Sequence, residues 1–158
     1  SPSGLAIDTE HERLVVGCHN NMMAFVDGTN GKVVGNVPIP GGVDANRFDP
    51  GTGFAFASTG SGDGAITVAH EDSPDKFTLV DTIPTTGGAR TMAIDYGDHT
   101  IYTVSAQFET AAPQPTAEAP APAAGGQAGR GGEARGGGRG FARRTMVPGS
   151  FTVLIFKR

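Results

Sequence analysis

Met92-Ala93-Ile94-Asp95 is a short apolar segment closed by an acid, and it has two earlier counterparts in the chain. They are Leu5-Ala6-Ile7-Asp8 and Asn46-Arg47-Phe48-Asp49, so the closing acid recurs at steps of 41 and 46 residues. Other features keep the second step: Val37-Pro38 returns as Ile83-Pro84, and Gly41-Gly42 returns as Gly87-Gly88. A fixed period in the range of about 20–50 residues is the mark of propellers, solenoids and arrays. Around each acid the chain reads as four short strands. A turn follows the acid, then an apolar run such as Leu14-Val15-Val16, Phe54-Ala55-Phe56-Ala57 or Ile101-Tyr102-Thr103-Val104. A third strand comes at Met22–Val26 or Ala65–Val68, and a fourth at Lys32–Val37 or Phe77–Val80. Short β-branched runs bounded by Gly, Pro, Asn and Asp predict strands, and Asp27-Gly28-Thr29-Asn30-Gly31 predicts a tight turn.

Four antiparallel strands per repeat of about 40–45 residues is the arithmetic of a propeller blade. The fold expected is all-β: a partial β-propeller of about three four-stranded antiparallel blades, the last lacking its outer strand. The competing architecture is a β-sandwich of irregular strands, which does not require a fixed offset. The predicted organisation is blade 1 at 1–42, blade 2 at 43–88, and an incomplete blade 3 at 89–106 plus 150–158. Residues 107–149 hold ten of the 25 glycines and five of the 11 prolines, with almost no aliphatic side chains. Such a segment buries too little apolar area to offset its ordering entropy, which predicts a disordered insertion. Ser150–Phe156 resumes the alternating pattern and fits a third strand of blade 3. Propellers hold about 4–8 blades, so a fragment of a longer ring is expected, with the missing blades, or other copies of the chain, completing it.

The first copy carries a family resemblance. Arg13-Leu14-Val15-Val16-Gly17-Cys18-His19-Asn20, then Met23–Val34, then Val37-Pro38-Ile39, resembles the YVTN-repeat β-propeller family. Val15-Val16-Gly17-Cys18 stands where the naming tetrapeptide would be, and blade 2 has Glu71-Asp72-Ser73-Pro74-Asp75 in place of the Asp-Gly-Thr-Asn-Gly turn. The resemblance implies seven blades in full-length members, export to the periplasm or the outside, and usually no enzymatic activity. It supplies no fixed catalytic motif.

Composition excludes several functions. The formal net charge of −4 argues against a general polyanion binder, and the absence of Trp leaves few stacking platforms for bases. A single cysteine, Cys18, rules out an intrachain disulfide and a cysteine-based zinc cluster. No apolar run reaches the ~18–20 residues of a membrane span. His11, His19, His70 and His99 form no tight pair in sequence, and their loops are expected on different faces, so neither a metal nor a cofactor is assigned. Thr59–Gly64 is Gly-rich but precedes a strand, which lacks the helix N-terminus of a phosphate loop.

The loops joining strands two and three, and one blade to the next, should share one face. Ser3, Asp44 and Arg90 are equivalent interblade positions there. Asp44, Arg90, His19 and Asn20 are the candidate ligand-binding residues on that face. Arg47 is a further candidate on an innermost strand, lining the channel or pairing with Asp44 or Asp49. The leading expectation is a non-enzymatic binding or scaffold propeller offering this face to a protein or small-molecule ligand. The alternatives are a propeller enzyme (a hydrolase, lactonase or oxidoreductase subunit) completed by missing blades, and weak nucleic-acid binding through Arg130–Arg144. Residues 107–149 carry five Arg and three Glu on an otherwise acidic chain, enough for salt-sensitive contact with single strands and enough for a solubilising linker.

Overall fold

The computed structural model describes residues 1–110 and 144–157. Blade 1 is the sheet β1 (Pro2–Asp8), β2 (Arg13–Cys18), β3 (Met22–Asp27) and β4 (Val33–Pro38), paired in that order. Blade 2 repeats it with β5 (Val43–Asp49), β6 (Phe54–Thr59), β7 (Ala65–Ser73) and β8 (Lys76–Pro84). Blade 3 has β9 (Met92–Asp95), β10 (Thr100–Ser105) and β13 (Thr152–Phe156), in the order β9-β10-β13. All these pairings are antiparallel. The chain is therefore a partial propeller whose sheets do not close a ring. No helix occurs among the described residues, so none there is long and apolar enough to cross a membrane.

The recurring acid earns its place in the turn after each innermost strand. Asp8 accepts from the amides of Glu10 and His11, Asp49 from the amide of Gly51, and Asp95 from the amide of Gly97. This side chain to backbone bond closes the turn locally. Four residues past each acid the backbone turns left-handed, at Glu12 (φ 55°), Gly53 (φ 69°) and His99 (φ 58°). The glycine repeat has the same kind of cause: Gly42 (φ 77°) and Gly88 (φ 82°) take a conformation that L side chains rarely adopt.

The core lies between blades. Val15, Met23, Phe25, Val37 and Ile39 of blade 1 pack against Val43, Phe48, Ala55, Ala57 and Ala69 of blade 2. Phe56, Ile66 and Val68 of blade 2 pack against Met92 and Ile101 of blade 3. Alternation along β6 explains the asymmetry: small Ala55 and Ala57 turn to blade 1, and Phe56 turns to blade 3. The space beside the alanines is filled by Phe25, whose ring stacks on Phe77 of blade 2 with centroids 3.7 Å apart.

One expectation needs revision. The segment 107–149 is not loose at its ends, because β11 (Phe108–Thr110) pairs with β12 (Arg144–Met146). The amide of Val147 donates to Gln107 O at 2.9 Å, and Ser150 Oγ donates to Val147 O at 2.7 Å. The β10–β13 pair carries the two strand ends out together, so a short ladder continues it despite the poor apolar content. The expected disorder and the Arg/Gly tract up to Arg143 lie outside the described residues.

Candidate functional site

Strand polarity separates two faces. On the loop face, the strand two to three loops meet the interblade links through backbone bonds: His19 N to Ser1 O (2.9 Å), Ile39 N to Asn21 O (3.0 Å), Gly60 N to Gly42 O (3.0 Å) and Gly88 N to Gly60 O (3.0 Å). The turns after the recurring acids, and the β7–β8 turn, lie on the opposite face.

The sequence-predicted residues divide accordingly. His19, Asn20, Asp44 and Arg90 are exposed and belong to the loop face. None of the four side chains makes a hydrogen bond or ion pair among the described residues. They are spread over the fan: His19 and Asn20 on blade 1, Asp44 entering blade 2, Arg90 entering blade 3. Arg90 lies over Gly60, where any Cβ would fall 2.9 Å from its Nε. Its carbonyl accepts from Ser58 Oγ, which anchors the link under the side chain. Arg47 does not join this set. It sits two residues short of the turn end of β5, and its Nη1 donates to Asn46 O at 2.7 Å. The ion pair expected with Asp44 or Asp49 is not formed, because Asp49 is occupied by His99 and Thr52.

The ionisable side chains gather instead on the turn face, along the seams between blades. At the seam of blades 1 and 2, buried Asp8 places Oδ2 2.8 Å from His11 Nδ1. Glu71 of β7 reaches across the seam, with Oε1 3.3 Å from the same nitrogen. The Glu71 side chain is 4% exposed, and Oε1 is buried with no hydrogen-bond partner. Burial, and then the charge of Asp8, pushes the Glu71 carboxyl above its ordinary 4.5. Beside it, Arg13 clamps the blades together. Its Nε donates to Pro74 O at 2.7 Å, its Nη2 to Asp75 Oδ1 at 2.8 Å, and its Nη1 to His11 O at 2.8 Å. At the seam of blades 2 and 3, buried Asp49 takes His99 Nδ1 at 2.8 Å. Nearby, hydrogen bonds from His70, Thr78 and Lys76 hold Asp72 well below the usual carboxylate range.

The histidines are divided between the two faces, with His11, His70 and His99 together on the turn face. Only His19 lies opposite. Sequence reasoning missed Glu71 because its partners stand some sixty positions away, across a seam. The available signal was Asp8 with His11 one turn later, an acid and an imidazole held on one tight loop.

The solved structures that resemble the chain include two of known description. One is the hydrazine synthase of Kuenenia stuttgartiensis, with TM-score 0.58, 17% identity, and coverage of 66% of this chain and 29% of that one. The other is the mitotic checkpoint complex, with TM-score 0.58, 16% identity, and coverage of 65% and 32%. Both contain β-propellers, and at these identities the likeness is one of fold. The chain spans about a third of the length of each. No family model and no curated protein matches the chain.

Proposed function

We propose that the chain is part of a non-enzymatic binding or scaffold propeller of the YVTN-repeat kind, exported from the cytoplasm, whose loop face takes a protein or small-molecule ligand. One observation carries this reading: His19, Asn20, Asp44 and Arg90 are exposed on one face with their hydrogen-bonding groups unspent, while most acids and histidines of the opposite face are engaged in ion pairs. Free donors and acceptors on the positioned loops of one face are the usual basis for recognising an organic ligand. Arg90 supplies a fork for a carboxylate, and Asp44 an acceptor for an ammonium or hydroxyl group. The links beneath them are fixed by backbone bonds at Gly42, Gly60 and Gly88, so the loops are positioned in advance.

The test is an amide-resolved NMR titration of the chain with small compounds bearing both a carboxylate and an ammonium group. Saturable shifts centred on His19, Asn20, Asp44 and Arg90, weakened about tenfold or more by Arg90→Ala, support the reading. Shifts centred on the turn face, or none up to millimolar compound, overturn it.

A further inference from the structure

We propose that Asp8, His11 and Glu71 form a binding site for a divalent transition-metal cation of the zinc class, bridging blades 1 and 2 on the turn face.

The three side chains each offer one ligand atom, and these atoms lie within 4.8 Å of one another, the one such group among the described residues. Bonds of about 2.0–2.2 Å to a tetrahedral cation place ligand atoms roughly 3.3 Å apart. The separations of His11 Nδ1 from Asp8 Oδ2 (2.8 Å) and from Glu71 Oε1 (3.3 Å) are close to that edge. Two carboxylates and one neutral imidazole balance a charge of +2, and the donor set of oxygen and nitrogen suits zinc or manganese rather than a thiolate-seeking ion.

A second, independent observation points to a ligand. His11 Nδ1 carries at most one proton, and Asp8 Oδ2 takes it at 2.8 Å. Glu71 Oε1 is then left buried, aimed at the same nitrogen, without a hydrogen bond. A buried carboxylate oxygen with no partner is costly. A cation between the three groups satisfies it and displaces the single shared proton. The supporting contacts are in place: Asp8 is oriented by the amides of Glu10 and His11, and Arg13 ties the backbone at His11 to blade 2 at Pro74 and Asp75. Such outer contacts fix ligand direction. The remaining coordination position opens into a groove of about 330 Å³ bordered by Phe48, Pro50 and Pro74. The seam between blades 2 and 3 has the acid and the histidine, Asp49 and His99, but Thr52 stands where His11 stands, and no third ligand joins them.

The experiment uses the full chain, stripped with chelator and titrated with Zn²⁺ alone, then with Co²⁺ as a spectroscopic probe. One equivalent should bind, with visible Co²⁺ absorption bleached by Zn²⁺. At a roughly hundredfold excess over Kd, the melting midpoint should rise by about 5–10 °C. His11→Ala and the near-isosteric Glu71→Gln should each weaken binding by more than the roughly 10–100-fold that loss of an outer contact costs. His19→Ala should leave it unchanged. If a variant fails to fold, Mn²⁺ added to the wild type decides: amide signals of Asp8, His11 and Glu71 should broaden first. Absence of saturable binding, binding that survives both ligand variants, or broadening centred on His19 overturns the proposal.

Discussion

Gly17→Ala is expected to be among the most damaging single-methyl additions in this chain. Gly17 lies on β2 facing blade 2, where buried Asn46 points its amide at the glycines of blade 1. A Cβ on Gly17 would fall well inside contact distance of Asn46 Oδ1 and 2.5 Å from Val43 Cγ2. Both neighbours are at most 2% exposed, so neither can move into solvent. Asn46 Nδ2 donates to Phe56 O at 3.3 Å, and displacing the side chain forfeits that bond. Overpacking costs about 1–3 kcal/mol and an unsatisfied buried amide a further 1–3, so a loss of about 2–6 kcal/mol is expected. In urea, at about 2 kcal/mol per molar, the midpoint should fall by about 1–3 M. The decisive assay is a double-mutant cycle with Asn46→Ala. Removing the amide makes room for the new methyl, so the pair should be less damaging than the sum, with a coupling of at least about 1 kcal/mol. A Gly17→Ala chain as stable as the wild type, or strictly additive effects, would refute the reasoning.

Glu12 holds a left-handed backbone that glycine accepts freely, and Glu12→Gly should raise the denaturation midpoint by about 0.5–1 kcal/mol of stability; a lower midpoint counts against the turn geometry. Arg13→Lys keeps the charge but loses the fork across the seam, for a cost of about 1–3 kcal/mol read by urea denaturation; a neutral result would mean the clamp does not hold the blades. Hydrogen bonds from Thr29, with Arg13 adding to them, hold Asp27 below its ordinary 3.8. Its contribution is present above that value and lost as pH falls below it. Asp27→Asn should therefore be destabilising at pH 7 and converge on the wild type in acid; a penalty that stays constant with pH would contradict this. Leu5 and Ile7 on one flank, and Phe151, Val153 and Ile155 on the other, are exposed. The chain should self-associate in light scattering above its 16.1 kDa, and a monomer at every concentration would oppose it.

The repeat was legible because each acid does a local job. Asp8, Asp49 and Asp95 close turns with amides two or three residues away, so their spacing is the blade spacing. Gly42 and Gly88 were legible for the same reason. Seams were not, because they join residues whose separation is set by the packing of whole sheets. Nothing near Gly17 announces that Asn46 will face it, although that contact explains a glycine within the stretch standing for the family tetrapeptide. Arg13, which leads the same motif, reads as a strand residue until Pro74 and Asp75 meet it across the seam. Strand polarity alone puts His19, Asn20, Asp44 and Arg90 on the loop face, whereas the bond from Arg47 to Asn46 O is a local contact that spacing does not reveal. The ladder of β11 and β12 was hidden by a composition dominated by the residues between them.

The claim that the sheets are propeller blades packed face to face is tested most directly by ring contacts across the first seam. Selective labelling of phenylalanine should show strong nuclear Overhauser effects between the rings of Phe25 on β3 and Phe77 on β8, together with contacts from Phe25 to Val43 or Phe48. A packing in which the first sheet does not cover the second would separate these rings. Their absence in a folded chain would contradict the account.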